Sequence, residues 1–537
     1  MRHASLAAAA AAAWSLAPSA SAASSSSAIR RRQDATKTFV SDGNPILADG
    51  SFYSADPAPL VVNGMVYILS GRDEAGATYN DFVINEWQVF EASGTPDPAG
   101  GTTWTLHEAV AKPDEIFAWA ASGSAYAAQI VPGAGANAAR FYLYAPVRQR
   151  DAGGAADAFG IGVAVSEDGP LGPWSDAHPA GPIISQTVPA PGNDLQNIDP
   201  TVLVDDDGSV YVYWGSFGQL RGYELSGDDM TTVVDSSLVS VTSLTGYFEA
   251  PWLMQRDGTY YMLYAANNAG PDSPCTPTSY HACIAYGTAS SPLGPWKFGG
   301  IVLDIVSSTT SHPGVYALAD GKYFLVYHTR DATGGTHFRR SVAFDALEFD
   351  DSTSPPSILK VTQTRRSGGG ETEPSRNVAP QASASASIET PIQYWIESLH
   401  DGRIDANPLP PDYWSSYAAE QSPQSVTLTY TWPDNAAVTL NGASIAFFAD
   451  QPAGSNIGVP PPASWHLQYL SADESWVEVS VTSDGGYPTA ATDEPPEVSF
   501  DTVQTTGLRA VLTASGSGGQ FGGIGIKEWS ALAPEAA

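Results

Sequence analysis

Apolar and polar positions alternate along most of this chain in short runs rich in Val, Tyr, Phe and Trp, broken by Gly, Asn, Asp and Pro. Helical spacing is nearly absent, and the pattern predicts an all-β protein. The first part of the chain repeats itself. Asp56-Pro-Ala-Pro-Leu leads to Asn63-Gly64 and then Met-Val-Tyr-Ile-Leu; Asp199-Pro-Thr-Val-Leu leads to Asp207-Gly208 and Ser-Val-Tyr-Val-Tyr. Glu249-Ala-Pro-Trp-Leu leads to Asp257-Gly258 and Thr-Tyr-Tyr-Met-Leu-Tyr, and His312-Pro-Gly-Val-Tyr to Asp320-Gly321 and Lys-Tyr-Phe-Leu-Val-Tyr. A looser copy begins at Tyr126-Ala-Ala-Gln-Ile and returns as Phe-Tyr-Leu-Tyr at 141–144, and Leu-Gly-Pro-Trp occurs at both 171–174 and 293–296. Asn-Gly and Asp-Gly suit the positive φ angles of a two-residue hairpin turn. Five such units predict a five-bladed β-propeller over residues 36–364, whose first strands line a common axis.

A Gly-rich, charged stretch at 365–376 cannot bury a core and reads as a linker. Beyond it, at 377–533, strand-like runs fall at Ser425–Trp432, Ser444–Ala449, Trp465–Leu470, Trp476–Val481 and Leu508–Thr513. They predict a β-sandwich domain. Two folded units fit a chain of 537 residues.

Composition narrows the partners. With 57 acidic and 24 basic residues, a formal net charge of −33, the chain repels nucleic acid and anionic membrane and suits a neutral ligand. The N-terminus, an apolar run at Ala7–Leu16 ending in Ala20-Ser-Ala22, reads as a signal peptide over 1–22. Arg30-Arg31-Arg32 then reads as the end of a propeptide over 23–32, so a secreted, extracellular and monomeric protein is expected. Its two cysteines, Cys275 and Cys283, are expected to pair as a local disulfide.

The repeat gathers chemistry. Asp199, Glu249 and His312 each lie eight residues before the hairpin Asp, Asp56 lies seven before Asn63, and the fifth equivalent position is Tyr126. A lone Asp-Pro usually starts a turn. Three carboxylates at one repeat position are another matter, because like charges brought together cost energy and raise pKa, which persists mainly where chemistry uses it. Paired carboxyl groups of this kind serve glycoside hydrolysis.

The strings Ser-Ala-Asp56-Pro, Asn-Ile-Asp199-Pro-Thr-Val, Phe-Glu249-Ala-Pro-Trp and Ser-His312-Pro-Gly resemble the signature segments of glycoside hydrolase family 43, over about Asn44 to Val361. The resemblance implies a five-bladed propeller and inversion at the anomeric carbon. It makes Asp56 the general base, Glu249 the general acid, and Asp199 the residue that orients the acid and raises its pKa. It implies no required cofactor, although similar enzymes often hold a calcium ion beside the equivalent of His312; a satisfied core histidine is the other reading of that residue. Trp119 and Tyr126 are candidates to stack on a sugar ring, with core packing the other reading, and Arg340 resembles a substrate-contacting arginine, with its neighbour Arg339 the alternative. Asn377-Val-Ala, Asp401-Gly402 and Gly525-Ile-Lys-Glu528-Trp529 resemble galactose-binding-like modules, which bind carbohydrate or brace a propeller. The expected activity is release of L-arabinofuranose from plant cell-wall arabinoxylan or arabinan. A β-xylosidase acting on xylo-oligosaccharides is the alternative within this class, and a non-catalytic carbohydrate-binding protein the alternative outside it.

Overall fold

The computed structural model describes residues 36–534 apart from 151–157, 190–194, 268, 271–272, 274, 276–277, 279–280, 366–375, 420–421 and 518–520. The expected signal peptide, the Arg30–Arg32 site and the interior of the linker lie outside the described residues. Among the described residues, no helix is long and apolar enough to cross a membrane.

The chain is all-β. β1 (Thr36–Val40), β2 (Ala55–Val62), β3 (Met65–Asp73), β4 (Ile84–Ser93) and β5 (Thr103–Ala111) form one antiparallel sheet in the order β1-β5-β4-β3-β2. β6 (Gln129–Pro132), β7 (Phe141–Arg148), β8 (Phe159–Ser166) and β9 (Ser175–Asp176) form the second in sequence order. The third holds β10 (Thr201–Val204), β11 (Val210–Trp214), β12 (Leu220–Leu225) and β13 (Val239–Val241). The fourth holds β14 (Tyr247–Arg256), β15 (Thr259–Ala266), β16 (Cys283–Ala289) and β17 (Lys297–Leu303). The fifth holds β18 (Gly314–Ala317), β19 (Tyr323–Thr329) and β20 (Ser341–Leu347). No single sheet closes on itself, but the first strands pack in a circuit: β2 against β6, β6 against β10, β10 against β14, β14 against β18, and β18 against β2.

Side chains stitch neighbouring sheets where their backbones do not pair. The buried Gln129 amide donates to the Val202 carbonyl at 3.2 Å and accepts the Val202 N–H at 2.7 Å. Thr201 Oγ1 accepts the Leu253 N–H at 3.1 Å. Between the first and fifth sheets, Asn44 acts as a strand would: its amide donates to the Phe344 carbonyl at 2.7 Å and accepts the Phe344 N–H at 3.1 Å. The seam is filled by Val66, Ile68, Phe90, Trp104, Phe324 and Phe344, all buried, and aromatic side chains of this size dominate the apolar area removed from water.

The hairpins differ from the sequence expectation in two of four units. Asn63-Gly64 and Asp257-Gly258 are true two-residue turns, with φ of 51° and 78° at each pair. Asp207-Gly208 and Asp320-Gly321 sit in longer loops closed by Val204 opposite Val210 and Ala317 opposite Tyr323, with positive φ at the glycine alone. Cys275 and Cys283 are disulfide-bonded, joining the β15–β16 loop to the start of β16.

A two-stranded ribbon, β21 (Phe349–Asp350) with β22 (Ser357–Ile358), follows the fifth sheet. The C-terminal part contains β23 (Ser383–Ala386), β24 (Trp414–Ser415), β25 (Ser425–Thr431), β26 (Val438–Phe448), β27 (Ser464–Leu470), β28 (Trp476–Glu478), β29 (Val498–Thr505), β30 (Gly507–Thr513) and β31 (Gly525–Leu532). They make two sheets, β23-β25-β30-β27-β28 and β24-β31-β26-β29, with a shared core of Trp414, Tyr430, Phe447, Trp465, Leu508 and Trp529.

Candidate active site

The entries to the first strands of four sheets share a local geometry. In each, the residue before a proline has left-handed backbone: Asp56 (φ 54°), Asp199 (φ 57°), Ala250 (φ 57°) and His312 (φ 47°). A non-glycine residue pays roughly 1–2 kcal/mol for that conformation. Glu249 therefore is not at the same backbone position as the two aspartates; it lies one residue earlier, and its matching count of eight arises because its hairpin is shorter. β14 bulges between the Glu249–Ala265 and Trp252–Leu263 pairs, as β2 does between Ala55–Gly71 and Ala58–Leu69.

All three carboxylates nevertheless line one cavity of about 430 Å³, together with Tyr126, His312 and Arg340. Phe82, Ile84, Ile198, Phe217 and Phe248 form its apolar wall, and Gln196, Asn267, Thr309, Thr310 and His337 complete it. The sequence-predicted set thus converges, with one exception. Trp119 does not line the cavity. Its ring packs on Phe117 at 5.3 Å, beside Asp176 and over Gly162, where it fills the second sheet. The aromatic side chains that do face the cavity are Tyr126, stacked on Phe159 at 5.1 Å, and the phenylalanines. Phe217 is 68 % exposed beside Phe248, 5.5 Å away, at the cavity rim.

Asp56 is held by basic and neutral nitrogen groups. Arg340 Nη1 donates to Asp56 Oδ1 at 2.9 Å, while its Nε and Nη2 grip both oxygens of the buried Asp73 at 2.9 Å. Arg339 points elsewhere, donating to the Ala75 carbonyl at 2.7 Å. The Asp56 N–H donates to His328 Nδ1 at 3.1 Å, so that nitrogen carries no proton; Nε2 of the same ring faces Thr309 Oγ1 at 2.9 Å. Burial, with Arg340 and His312 nearby, holds the pKa of His328 well below the usual range, and the ring is neutral. His312 Nδ1 lies 3.7 Å from Asp56 Oδ1, and burial lowers its pKa to about 4.

Glu249 and Asp199 form the second half of the site. Glu249 accepts from Ser216 Oγ and from Thr310 Oγ1, each at 2.6 Å. Ser216 follows Gly215, whose φ of 132° and close approach to the Gln219 carbonyl leave no room for a Cβ, and the Gly215 carbonyl is held by the Tyr247 hydroxyl at 2.8 Å. Asp199 Oδ2 accepts the Ala250 N–H at 3.1 Å. Burial raises the pKa of both acids; the charge of Glu249 raises Asp199 further, and two hydroxyl hydrogen bonds oppose the rise at Glu249. An interaction that makes Glu249 oppose the ionisation of Asp199 acts equally in reverse, so the two carboxyls titrate as a pair.

The resemblance sets a calcium ion beside His312. That ion takes six to eight oxygen ligands. Here His312 offers nitrogen, the adjacent Asp56 oxygen is committed to Arg340, and no group of three or more His, Cys, Asp or Glu among the described residues is arranged to hold a metal ion.

Ser216, Thr310, His328 and Asp73 were not legible as site residues, because none occupies the repeated position. Phe248 had a signal, standing directly before Glu249, and Phe217 had one in the Gly-Ser-Phe-Gly loop at 215–218.

Comparison with known proteins agrees with this chemistry. The family model "Glycosyl hydrolases family 43" matches residues 44–354. "Xylosidase/arabinosidase 43A" of Humicola insolens is 28% identical over 349 residues, covering 56% of this chain and 95% of that protein. "Arabinoxylan arabinofuranohydrolase" of Bacillus subtilis (strain 168) is 30% identical over 290 residues, covering 49% of this chain and 52% of that one. "Beta-D-galactofuranosidase xynD" of Aspergillus niger is 28% identical over 341 residues, 62% of this chain and 88% of its own length. A solved family 43 arabinoxylan arabinofuranohydrolase from Bacillus subtilis, in complex with cellotetraose, covers 92% of this chain and 98% of its own at 22% identity and a TM-score of 0.49.

Proposed function

The chain belongs to glycosyl hydrolase family 43 and is a glycoside hydrolase, and from that premise we propose that it is a secreted, inverting enzyme releasing L-arabinofuranose from arabinoxylan or arabinan. The observation that carries this reading is the convergence of Asp56, Asp199 and Glu249 on one cavity. Asp56 is the general base. Arg340 offsets its charge without supplying a proton, since guanidinium stays protonated, and the carboxylate takes the proton of the attacking water. Glu249 is the general acid. Burial holds its proton, which passes to the departing glycosidic oxygen. Asp199 orients the acid through the Ala250 N–H, the peptide unit that follows Glu249.

The five sheets with their circuit of first strands support a five-bladed propeller, and the two C-terminal sheets around one core support a sandwich. A disulfide suits an oxidising compartment and favours secretion. Relatives named xylosidase/arabinosidase keep β-xylosidase activity as the second reading. Sugar release from nitrophenyl α-L-arabinofuranoside, nitrophenyl β-D-xyloside, arabinoxylan and arabinan separates the two. In the same panel, Glu249→Ala removes the proton donor. A sugar alkoxide needs that proton and nitrophenolate does not, so the variant should lose about 10²–10⁴ on arabinoxylan and far less on the nitrophenyl substrate. Equal losses on both would overturn the assignment of the acid, and no release from any pentoside would overturn the function.

A further inference from the structure

Two backbone segments meet beneath the carboxylates. One is Ser307–His312; the other is the end of β19, where His328 and Thr329 lead into Arg330. The His328 N–H donates to the Ser311 carbonyl at 2.8 Å, and Thr309 Oγ1 meets His328 Nε2 at 2.9 Å. From the first segment Thr310 donates to Glu249, and from the second His328 accepts the Asp56 N–H. This pair of segments touches both the acid and the base.

Their far side is gripped by residues 401–412, which precede β24 in the C-terminal part. Arg330 is 5 % exposed and lies 2.8 Å from Asp412, 2.9 Å from Asp405 and 3.4 Å from Asp401. Arg403 reaches back, pairing with Asp331 and donating to the Arg330 carbonyl at 3.3 Å. Asp412 is also 5 % exposed. His337, which lines the active-site cavity, faces residues 405–409 and Asp412 across a small cleft. The C-terminal part therefore holds Arg330, two residues beyond His328, and through the Thr309–His328 bridge braces the segment that carries Thr310. Buried, desolvated ion pairs fix geometry far better than exposed ones, because water cannot substitute for either partner.

We propose that the C-terminal part is a working component of the pocket, with Asp401, Asp405 and Asp412, closed on Arg330, positioning the Thr309–Thr310 segment and through it Glu249 and Asp56. This rests on the assignment of Glu249 as the acid. Asp405 and Asp412 are positioning residues that act through Arg330 and touch no substrate. Loosening their contact with Arg330 frees Thr310, whose donated hydrogen bond favours the ionised form of Glu249. The acid then keeps its proton to higher pH but is less well aimed.

The test uses the full chain carrying Asp412→Asn or Asp405→Asn, with kcat/KM measured against pH on an arabinoxylo-oligosaccharide and on nitrophenyl arabinofuranoside. The expected result is an alkaline limb moved up by roughly half a unit to one unit. Oligosaccharide turnover should fall by about tenfold, and nitrophenyl turnover by less than about threefold, within the range of general acid effects. A lower melting temperature with the limb and the substrate ratio at wild-type values would overturn the proposal, leaving the contact as stabilisation only. Should Asp412→Asn fail to fold, Asp405→Asn, at the more exposed of the two carboxylates, decides alone. Glu249→Ala measured in parallel separates the two ideas. If it shows its leaving-group bias and neither positioning variant does, the inference alone fails. If it shows none, the acid assignment falls and the inference with it.

Discussion

Replacing Thr310 with Val removes one hydroxyl and keeps the shape of the side chain. In the native site Glu249 accepts two short hydroxyl hydrogen bonds, one on each oxygen. When the carboxylate is ionised both hydroxyls donate to a charge, at about 1.5–3 kcal/mol each. When it is protonated it must donate its own proton, so one hydroxyl turns to accept and that bond becomes neutral, worth about 0.5–1.5 kcal/mol. Loss of Thr310 Oγ1 therefore disfavours the ionised form by about 1–1.5 kcal/mol, which corresponds to about one pH unit. The pKa of Glu249 should rise, and the alkaline limb of kcat/KM on an arabinoxylo-oligosaccharide should move up by that amount. Ser216→Ala should act in the same direction. The double variant should shift by no more than the sum, because the protonated acid also loses its last hydroxyl acceptor. A limb that stays in place or moves to lower pH in Thr310→Val would refute the claim that these hydroxyls tune the acid.

Arg340→Lys replaces a fork that spans Asp56 and Asp73 with a point charge that can satisfy only one of them. Activity should fall by at least about 100-fold, equally on oligosaccharide and nitrophenyl substrates because the defect is on the base side, with a lower melting temperature; a loss confined to the oligosaccharide would place Arg340 with the acid instead. Glu528 is buried in β31 beside Asp401, and burial raises its pKa to about 9. Unfolded, it ionises near 4.5, so between these values the native state binds the extra proton and stability falls as pH rises. Glu528→Gln should therefore raise the melting temperature relative to wild type at pH 8, by up to about 5 kcal/mol of stability, and make little difference at pH 4; an equal effect at both pH values would contradict this.

The features legible in the sequence were those repeated in it. Asp56, Asp199 and His312 announced themselves by sharing a pre-proline position, and that position does converge on one cavity. Single-copy features were hidden. Ser216, Thr310 and His328 enter the site from loops and a strand end with no counterpart in other sheets. Trp119 misled because an aromatic near the axis in sequence can still face its own sheet, as this one does against Phe117. In the C-terminal part, β25, β27 and β30 were visible as apolar runs. β31 was not, because Lys527 and Glu528 interrupt it; both are buried, Lys527 paired with Asp493 and Glu528 bonded to the Gly402 N–H, so long-range partners undo the usual sign of a charged residue. The difference between two-residue turns and five-residue loops was invisible too, since Asp-Gly serves both.

The turn does not decide where the acid sits, since β2 ends in the same two-residue turn and carries Asp56 on its strained residue. Non-glycine residues in left-handed backbone are costly and persist where their surroundings demand them. At Asp56 and Asp199 the strained residue carries the carboxylate itself, and a short side chain suffices to reach the cavity. In β14 the strain falls on Ala250, and the acid sits one residue outward on a longer side chain. The bulge there leaves Ala250 outside the β14–β15 pairing. An N–H unused by the sheet needs an acceptor, because a buried unpaired donor costs about 1–3 kcal/mol. Asp199 provides that acceptor. The offset of one residue turns Glu249 between Ser216 and Thr310, while the bulge, which β2 shares at Asp56, frees the peptide N–H that ties the acid to Asp199. Placing Glu at position 250, on the strained residue like the aspartates, would remove neither carboxylate from the chain but would separate the acid from both hydroxyl partners.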